Sequence, residues 1–218
     1  MIDHSLLRPS LTDAELESGC QLARDYDVAS VCILPYYLKR CVAFLSGSQV
    51  VPSTTIGFPH GAHATSVKVF EAEQALKDGG RELDMVVNIS KVRSGDFSYV
   101  REDILAVLEP THERGAKLKV IFENCFLDTE QKVRLCAICG ELRVDWVKTS
   151  TGYGSGGATD EDLVLMRKHS PPHVQLKAAG GVRDLDRLLR VREIGCTRSG
   201  ASATKQILDE ARRRLLNP

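Results

Sequence analysis

Along the chain, short β-branched runs alternate with longer stretches in which apolar residues recur at helical spacing. The runs Ile2 to Leu6, Ala29 to Leu34, Val50 to Ile56, Glu82 to Asn88, Lys117 to Glu123, Val144 to Thr149, Val174 to Ala178 and Cys196 to Gly200 predict eight strands. Helical patterns cover Thr12 to Tyr26, Tyr36 to Leu45, Ser66 to Asp78, Tyr99 to Arg114, Thr129 to Leu142, Asp160 to His169, Leu185 to Ile194 and Ala203 to Leu215, eight again. Strict alternation predicts parallel pairing, and eight repeats without a leftover element favour an α/β fold closed as a (β/α)₈ TIM barrel over an open doubly wound sheet. No Gly-x-Gly-x-x-Gly follows the first strand, which argues further against a dinucleotide fold. At 218 residues and without a linker-like segment, residues 1–218 read as one barrel domain.

Strand parity then says what lies inside, because successive side chains point to opposite faces. In Leu83-Asp84-Met85-Val86-Val87-Asn88 the apolar Leu83, Met85 and Val87 meet the helices, which turns Asp84, Val86 and Asn88 inward. Likewise Leu118, Val120 and Phe122 face outward while Lys119, Ile121 and Glu123 face the axis. Lys148 points inward near the end of its strand, and Lys177 does so on the next, leaving two lysines side by side. Three inward lysines with Asp84 and Glu123 are costly as packing, since a buried charge must be paired or hydrated. A compensated ion-pair network is the structural alternative to a site.

A lysine attacks a carbonyl only as the free amine, and its unperturbed pKa is about 10.4. A second ammonium nearby, with partial desolvation, disfavours protonation, and a carboxylate such as Asp84 can move protons for carbinolamine dehydration and enamine formation. Parity gives Lys177 no obligatory partner across the barrel, so the expected effect of its charge falls on Lys148. Gly-rich turns follow the last two strands, Ala179-Gly180-Gly181-Val182-Arg183 and Arg198-Ser199-Gly200-Ala201-Ser202. In barrels these loops commonly hold a phosphate through backbone N–H groups, with Ser202 or Arg183 as an added donor.

Composition narrows the classes of partner. Lys plus Arg and Asp plus Glu both number 29, so no net charge draws the chain to nucleic acid or to an anionic membrane. Arg212, Arg213 and Arg214 read as the solvated face of a helix. Met1 to Leu7 is too short and polar for a signal peptide, and seven cysteines without a framework fit free thiols in the cytoplasm. Cys136 and Cys139 form a CxxC pair inside a helical pattern and read as core thiols. His60 and His63 lie close together on one loop without an evident third ligand, so no metal site is expected.

The motifs Val147-Lys148-Thr149-Ser150-Thr151-Gly152, Leu176-Lys177-Ala178-Ala179-Gly180-Gly181-Val182-Arg183, Leu83 to Asn88, Gly57-Phe58-Pro59-His60-Gly61 and Ile2-Asp3-His4-Ser5-Leu6-Leu7 resemble those of the deoxyribose-phosphate aldolase family, from Ile2 to the final helix. The resemblance implies reversible cleavage of 2-deoxy-D-ribose 5-phosphate to acetaldehyde and D-glyceraldehyde 3-phosphate, without metal or organic cofactor. It implies Lys148 as the Schiff-base lysine, Lys177 as the neighbour that tunes it and Asp84 as the proton-transfer carboxylate. Gly180, Gly181, Gly200 and Ser202 are implied to line the phosphate, with Thr151 in the substrate-binding set. Cys32 matches a cysteine near the substrate, although a buried packing thiol is the simpler reading. The expected assembly is a homodimer or homotetramer. Tyr153 stands where some members carry a lysine, Ser199 replaces an aliphatic residue, and Glu123-Asn124-Cys125-Phe126 differs from the commoner Glu-Thr-Cys-Leu, so substrate preference stays open. The competing readings are a Schiff-base aldolase acting on another small aldehyde or sugar phosphate, and a sugar-phosphate-binding protein without catalysis.

Overall fold

The computed structural model describes residues 1–216; the C-terminal Asn217 and Pro218, whose part in the site the sequence leaves open, lie outside them. Eight parallel strands close into a barrel: β1 (Ile2–Leu6), β2 (Ser30–Ile33), β3 (Val51–Ile56), β4 (Glu82–Val86), β5 (Lys117–Ile121), β6 (Trp146–Lys148), β7 (Gln175–Ala179) and β8 (Arg198–Ala201), with β8 pairing back onto β1. Among the described residues the helices are α1 (Asp13–Asp25), α2 (Leu38–Leu45), α3 (Thr65–Lys77), α4 (Ile89–Arg93), α5 (Phe97–Glu113), α6 (Thr129–Leu142), α7 (Asp160–His169), α8 (Leu185–Glu193) and α9 (Thr204–Leu216). The fold is the (β/α)₈ TIM barrel.

Local chemistry fixes where the helices begin. Thr12 and Glu15 form a reciprocal capping box at the head of α1, and Asp128 with Gln131 does the same for α6. The pattern at Tyr36 to Leu45 opens instead as a 3₁₀ turn over Pro35–Tyr37, because proline's fixed φ and missing N–H suit a first turn. Four strands, β2, β4, β5 and β6, stop short of their sequence patterns because the chain turns at once into the loops of the barrel's carboxyl face. Asn88, expected inward on a strand, instead accepts from the Lys91 N–H as the cap of α4. That helix is only five residues long, too short to show a period. Glu123 likewise leaves β5 and adopts a left-handed backbone with φ of 57°.

Two interiors result. Between barrel and helices lies the apolar core, where Leu83, Met85, Leu118, Val120, Val147 and Leu176 meet residues such as Leu16, Ile104 and Met166. Inside the barrel, where large aliphatic side chains usually fill the layers, the buried groups include Asp3, Ser30, Ser53, Thr55, Asp84, Lys119, Lys148 and Lys177. Trp146 seals this polar compartment low in the barrel, its Nε1–H donating to Thr197 Oγ1 at 2.9 Å and its ring lying 5.0 Å from the Arg198 guanidinium.

Candidate active site

Register brings the charged side chains together: Asp84 pairs with Lys119, Ile121 with Lys148, and Lys148 with Lys177. Asp84 is the hub. Its Oδ2 accepts from Lys148 Nζ at 2.7 Å and from Lys177 Nζ at 2.8 Å, while Oδ1 accepts from Lys119 Nζ at 2.9 Å. Lys177 is not without an obligatory partner, as strand parity suggested: its Nζ lies 2.6 Å from Asp3 Oδ2. Parity on the central strands alone misses this contact, because it is β1 that turns Asp3 inward.

The environment separates the lysines. Burial lowers the pKa of Lys148 and the Lys177 charge adds to this, with Asp84 opposing. Burial works against the charge on Lys177 too, but Asp3 and Asp84 outweigh it and hold that ammonium above the usual lysine range. Lys119 is raised in the same way, burial being overcome chiefly by Asp84. Asp84 itself is fully buried, yet Lys119, Lys148 and Lys177 hold its carboxyl well below the carboxylate range. The lysine whose proton is least favoured is therefore the one that has Asp84 as its sole carboxylate partner.

That cavity, of about 520 Å³, lies at the carboxyl ends of the strands and suits a small metabolite. Lys148 and Lys177 stand at its base with Cys32, and Thr151, Gly180, Gly181, Gly200 and Ser202 line its walls. Every residue singled out for chemistry or binding except the fully enclosed Asp84 thus borders one space. Cys32 combines both readings, a buried thiol that also borders the cavity; burial and then Asp84 push its pKa up, which keeps it a neutral thiol. Gly180 and Gly181 both have positive φ, 82° and 87°, and a Cβ on Gly180 would meet Gly157 Cα at 2.8 Å. Asp3, Glu82, Lys119 and Arg198 were not assigned from sequence, although the inward parity that revealed Lys119 was available for all four.

The wall after β6 is tied down from two sides. The Thr151 N–H and hydroxyl both donate to the Glu123 carboxylate, and the Tyr153 hydroxyl donates to the Leu7 carbonyl at 2.7 Å while its ring meets Phe58 edge-on. Tyr153 thus fastens the β6 loop to the β1 loop, a bridging task in place of a cation.

Residues 1–208 match the family described as DeoC/LacD family aldolase. A deoxyribose-phosphate aldolase of Rhodopirellula baltica is 64% identical over the whole of this chain and 90% of its own length. One from Thermococcus gammatolerans is 46% identical, covering 97% of this chain and 95% of itself. The chain belongs to the DeoC/LacD aldolase family.

Solved aldolases of this kind superpose closely. The tetrameric deoxyribose phosphate aldolase of Aeropyrum pernix matches with a TM-score of 0.90 at 26% identity, over 97% of this chain and 89% of that one. Other sequence expectations have simple placements in the aldolase. Cys136 and Cys139 are buried within α6, and all seven cysteines are free thiols. Arg213 and Arg214 pair with Glu210 on the exposed face of α9, and the Arg212 guanidinium lies 4.4 Å from the Tyr26 ring centroid. No group of three or more metal-ligating side chains that could hold an ion occurs among the described residues, and no helix there is long and apolar enough to cross a membrane.

Proposed function

We propose that this aldolase reversibly cleaves 2-deoxy-D-ribose 5-phosphate to D-glyceraldehyde 3-phosphate and acetaldehyde through a Schiff base on Lys148. The observation that carries this reading is a buried lysine with a lowered pKa at the base of the cavity, 2.7 Å from a carboxylate and beside a second lysine whose pKa Asp3 and Asp84 raise. The names of the relatives support the choice of sugar.

In this mechanism the free amine of Lys148 adds to the C1 aldehyde of the open-chain sugar, and loss of water from the carbinolamine leaves an iminium ion. The iminium draws the electrons of the C2–C3 bond as the C3 hydroxyl loses its proton, which releases glyceraldehyde 3-phosphate and leaves an enamine. Protonation of the enamine and hydrolysis then free acetaldehyde and Lys148. Asp84 orients the amine and passes protons, directly or through water; its strongly ionised state suits it to relay a proton rather than to store one. Lys177 supplies the nearby ammonium and keeps Lys148 from charging. Gly180, Gly181, Gly200 and Ser202 cradle the phosphate at the loops after β7 and β8. Thr151, held by Glu123, and Cys32 complete the substrate wall.

Free thiols throughout support a reducing, cytoplasmic setting. Exposed Val67 and Phe70 on α3, with the tetrameric relative, support a homo-oligomer. The deciding experiment is borohydride reduction in the presence of acetaldehyde, followed by mass spectrometry of the labelled peptide. The adduct should map to Lys148 and vanish, together with cleavage, in a folded Lys148→Ala variant. Comparable turnover by that variant would remove the assignment.

A further inference from the structure

Below Lys148 the barrel holds more charge than the proposed chemistry uses. Arg198 enters from β8, its Nη1 2.7 Å from Asp3 Oδ1 and its Nη2 2.8 Å from Glu82 Oε1. Glu82 also lies 2.5 Å from Lys119 Nζ. Direct ion pairs therefore link seven buried or nearly buried groups into one cluster: the cations Lys119, Lys148, Lys177 and Arg198, and the carboxylates Asp3, Glu82 and Asp84. Fully ionised, that is four positive charges against three negative, a surplus of one in a low-dielectric interior.

We propose that Arg198 is a positioning residue for the reaction: its fixed charge supplies the fourth cation of this cluster and so obliges one lysine, Lys148, to remain a free amine. An arginine cannot give up its proton, so the surplus must be relieved at a lysine. Lys177 is held between Asp3 and Asp84, and Lys119 between Glu82 and Asp84, whereas Lys148 has Asp84 alone. The remaining walls do not alter the count. Cys32 from β2 is a neutral thiol, and β3 contributes only Ser53 and Thr55. Beside Arg198, Lys117 sits in solvent over the Trp146 ring and the Met1 amino group is partly exposed, so both are screened. The pKa directions agree, with Lys148 the one lysine of the three that is lowered.

Arg198 pairs with Lys177 in the sheet and Lys177 with Lys148, so two strand spacings separate Arg198 from the reacting lysine, roughly 10 Å. At that range, with an effective dielectric of about 20, one charge changes the free-amine fraction by about tenfold. The inference rests on Lys148 being the Schiff-base lysine, and the test separates the two ideas. The rate of borohydride-trapped acetaldehyde adduct would be followed against pH for wild type, Arg198→Gln, Glu82→Gln, the double variant and Arg198→Lys, with thermal unfolding to confirm the fold. In Arg198→Gln the acid limb should move to higher pH, with about tenfold less trapping below it and an unchanged plateau above. Glu82→Gln should move the limb the other way, the double variant should return it towards wild type, and Arg198→Lys should leave it in place. If Arg198→Gln does not fold, the opposite shift in Glu82→Gln and its reversal in the double variant decide. Limbs of Arg198→Gln and Glu82→Gln that both coincide with wild type, shifts of the same sign in these two variants, or a loss independent of pH would overturn the proposal. Failure of wild type to trap at Lys148 would instead overturn the functional reading.

Discussion

Lys148 and Lys177 sit at the same level of adjacent strands and donate to the same oxygen of Asp84, yet they carry opposite tendencies. The difference is one carboxylate: Asp3 touches Lys177 and leaves Lys148 alone. Replacing Lys177 by Met removes the like charge beside Lys148, so its pKa should climb and the free-amine fraction at neutral pH should fall, by about tenfold for a climb of about one pH unit. Trapping rates against pH check this: the loss should be large at pH 7 and shrink as pH is raised. A loss constant across pH would mean that Lys177 acts instead through a direct bond to substrate. At the other end of the cavity, Gly181 has a φ of 87° and open space where a Cβ would go. Gly181→Val therefore strains the turn and places a side chain at the end of the cavity proposed to hold the phosphate. Cleavage of deoxyribose 5-phosphate should drop at least about tenfold while that of unphosphorylated deoxyribose falls far less, given that a charged hydrogen bond is worth about 1.5–3 kcal/mol. Equal losses on both substrates would count against a phosphate role for this turn.

Among the elements, β4 is held from behind by a device that no periodicity announces. Lys68 on α3 is fully buried, lies 2.6 Å from Asp103 of α5 and donates to the Val86 carbonyl at 3.0 Å, two residues beyond Asp84. A Lys68→Met variant strands the Asp103 carboxylate and should cost about 3–5 kcal/mol in urea unfolding, with Lys68→Met/Asp103→Leu recovering much of it. A cost below about 1 kcal/mol would show that the pair is dispensable to the fold. In the sequence Lys68 has the look of a polar residue on a surface helix because its partner is 35 positions away, and a one-dimensional pattern cannot express that pairing. The strands were legible for the opposite reason. Their outward faces are apolar at a period of two, so Asp84, Lys119, Lys148 and Lys177 stood out as polar residues at inward positions. What parity could not supply was how the inward groups pair, which depends on barrel closure bringing β1 and β8 together. For that reason Asp3, Glu82 and Arg198 had no assigned part, and Lys177 was expected without a partner.

At the scale of the whole molecule, closure joins the first strand to the last helix, and His4 is one rivet. Its Nδ1 lies 2.8 Å from Thr204 Oγ1, 200 positions away, and the ring is buried. Burial lowers its pKa to about 4 from the usual value near 6.5. Between these values the unfolded chain binds a proton that the folded protein refuses. Stability contributed by this group is thus complete above about pH 6.5 and is lost as pH falls towards 4. At about pH 5 the loss amounts to roughly 2 kcal/mol, since each tenfold difference in proton affinity between the folded and unfolded chain corresponds to about 1.4 kcal/mol. Asp3 and Asp84 do not contribute in this window. Their folded pKa values are held below the ordinary carboxylate range, so the stability they confer is present above about pH 4 and declines only below it. Acid should therefore act in two stages, a shallow loss governed by His4 and then a steep one as the buried carboxylates are titrated. Urea unfolding of wild type and His4→Gln at pH 7 and pH 5 isolates the first stage, because glutamine keeps a polar contact to Thr204 without a titrating group. The drop between the two pH values should be smaller in the variant by about 2 kcal/mol. An equal drop in both proteins would assign the first stage to groups other than His4.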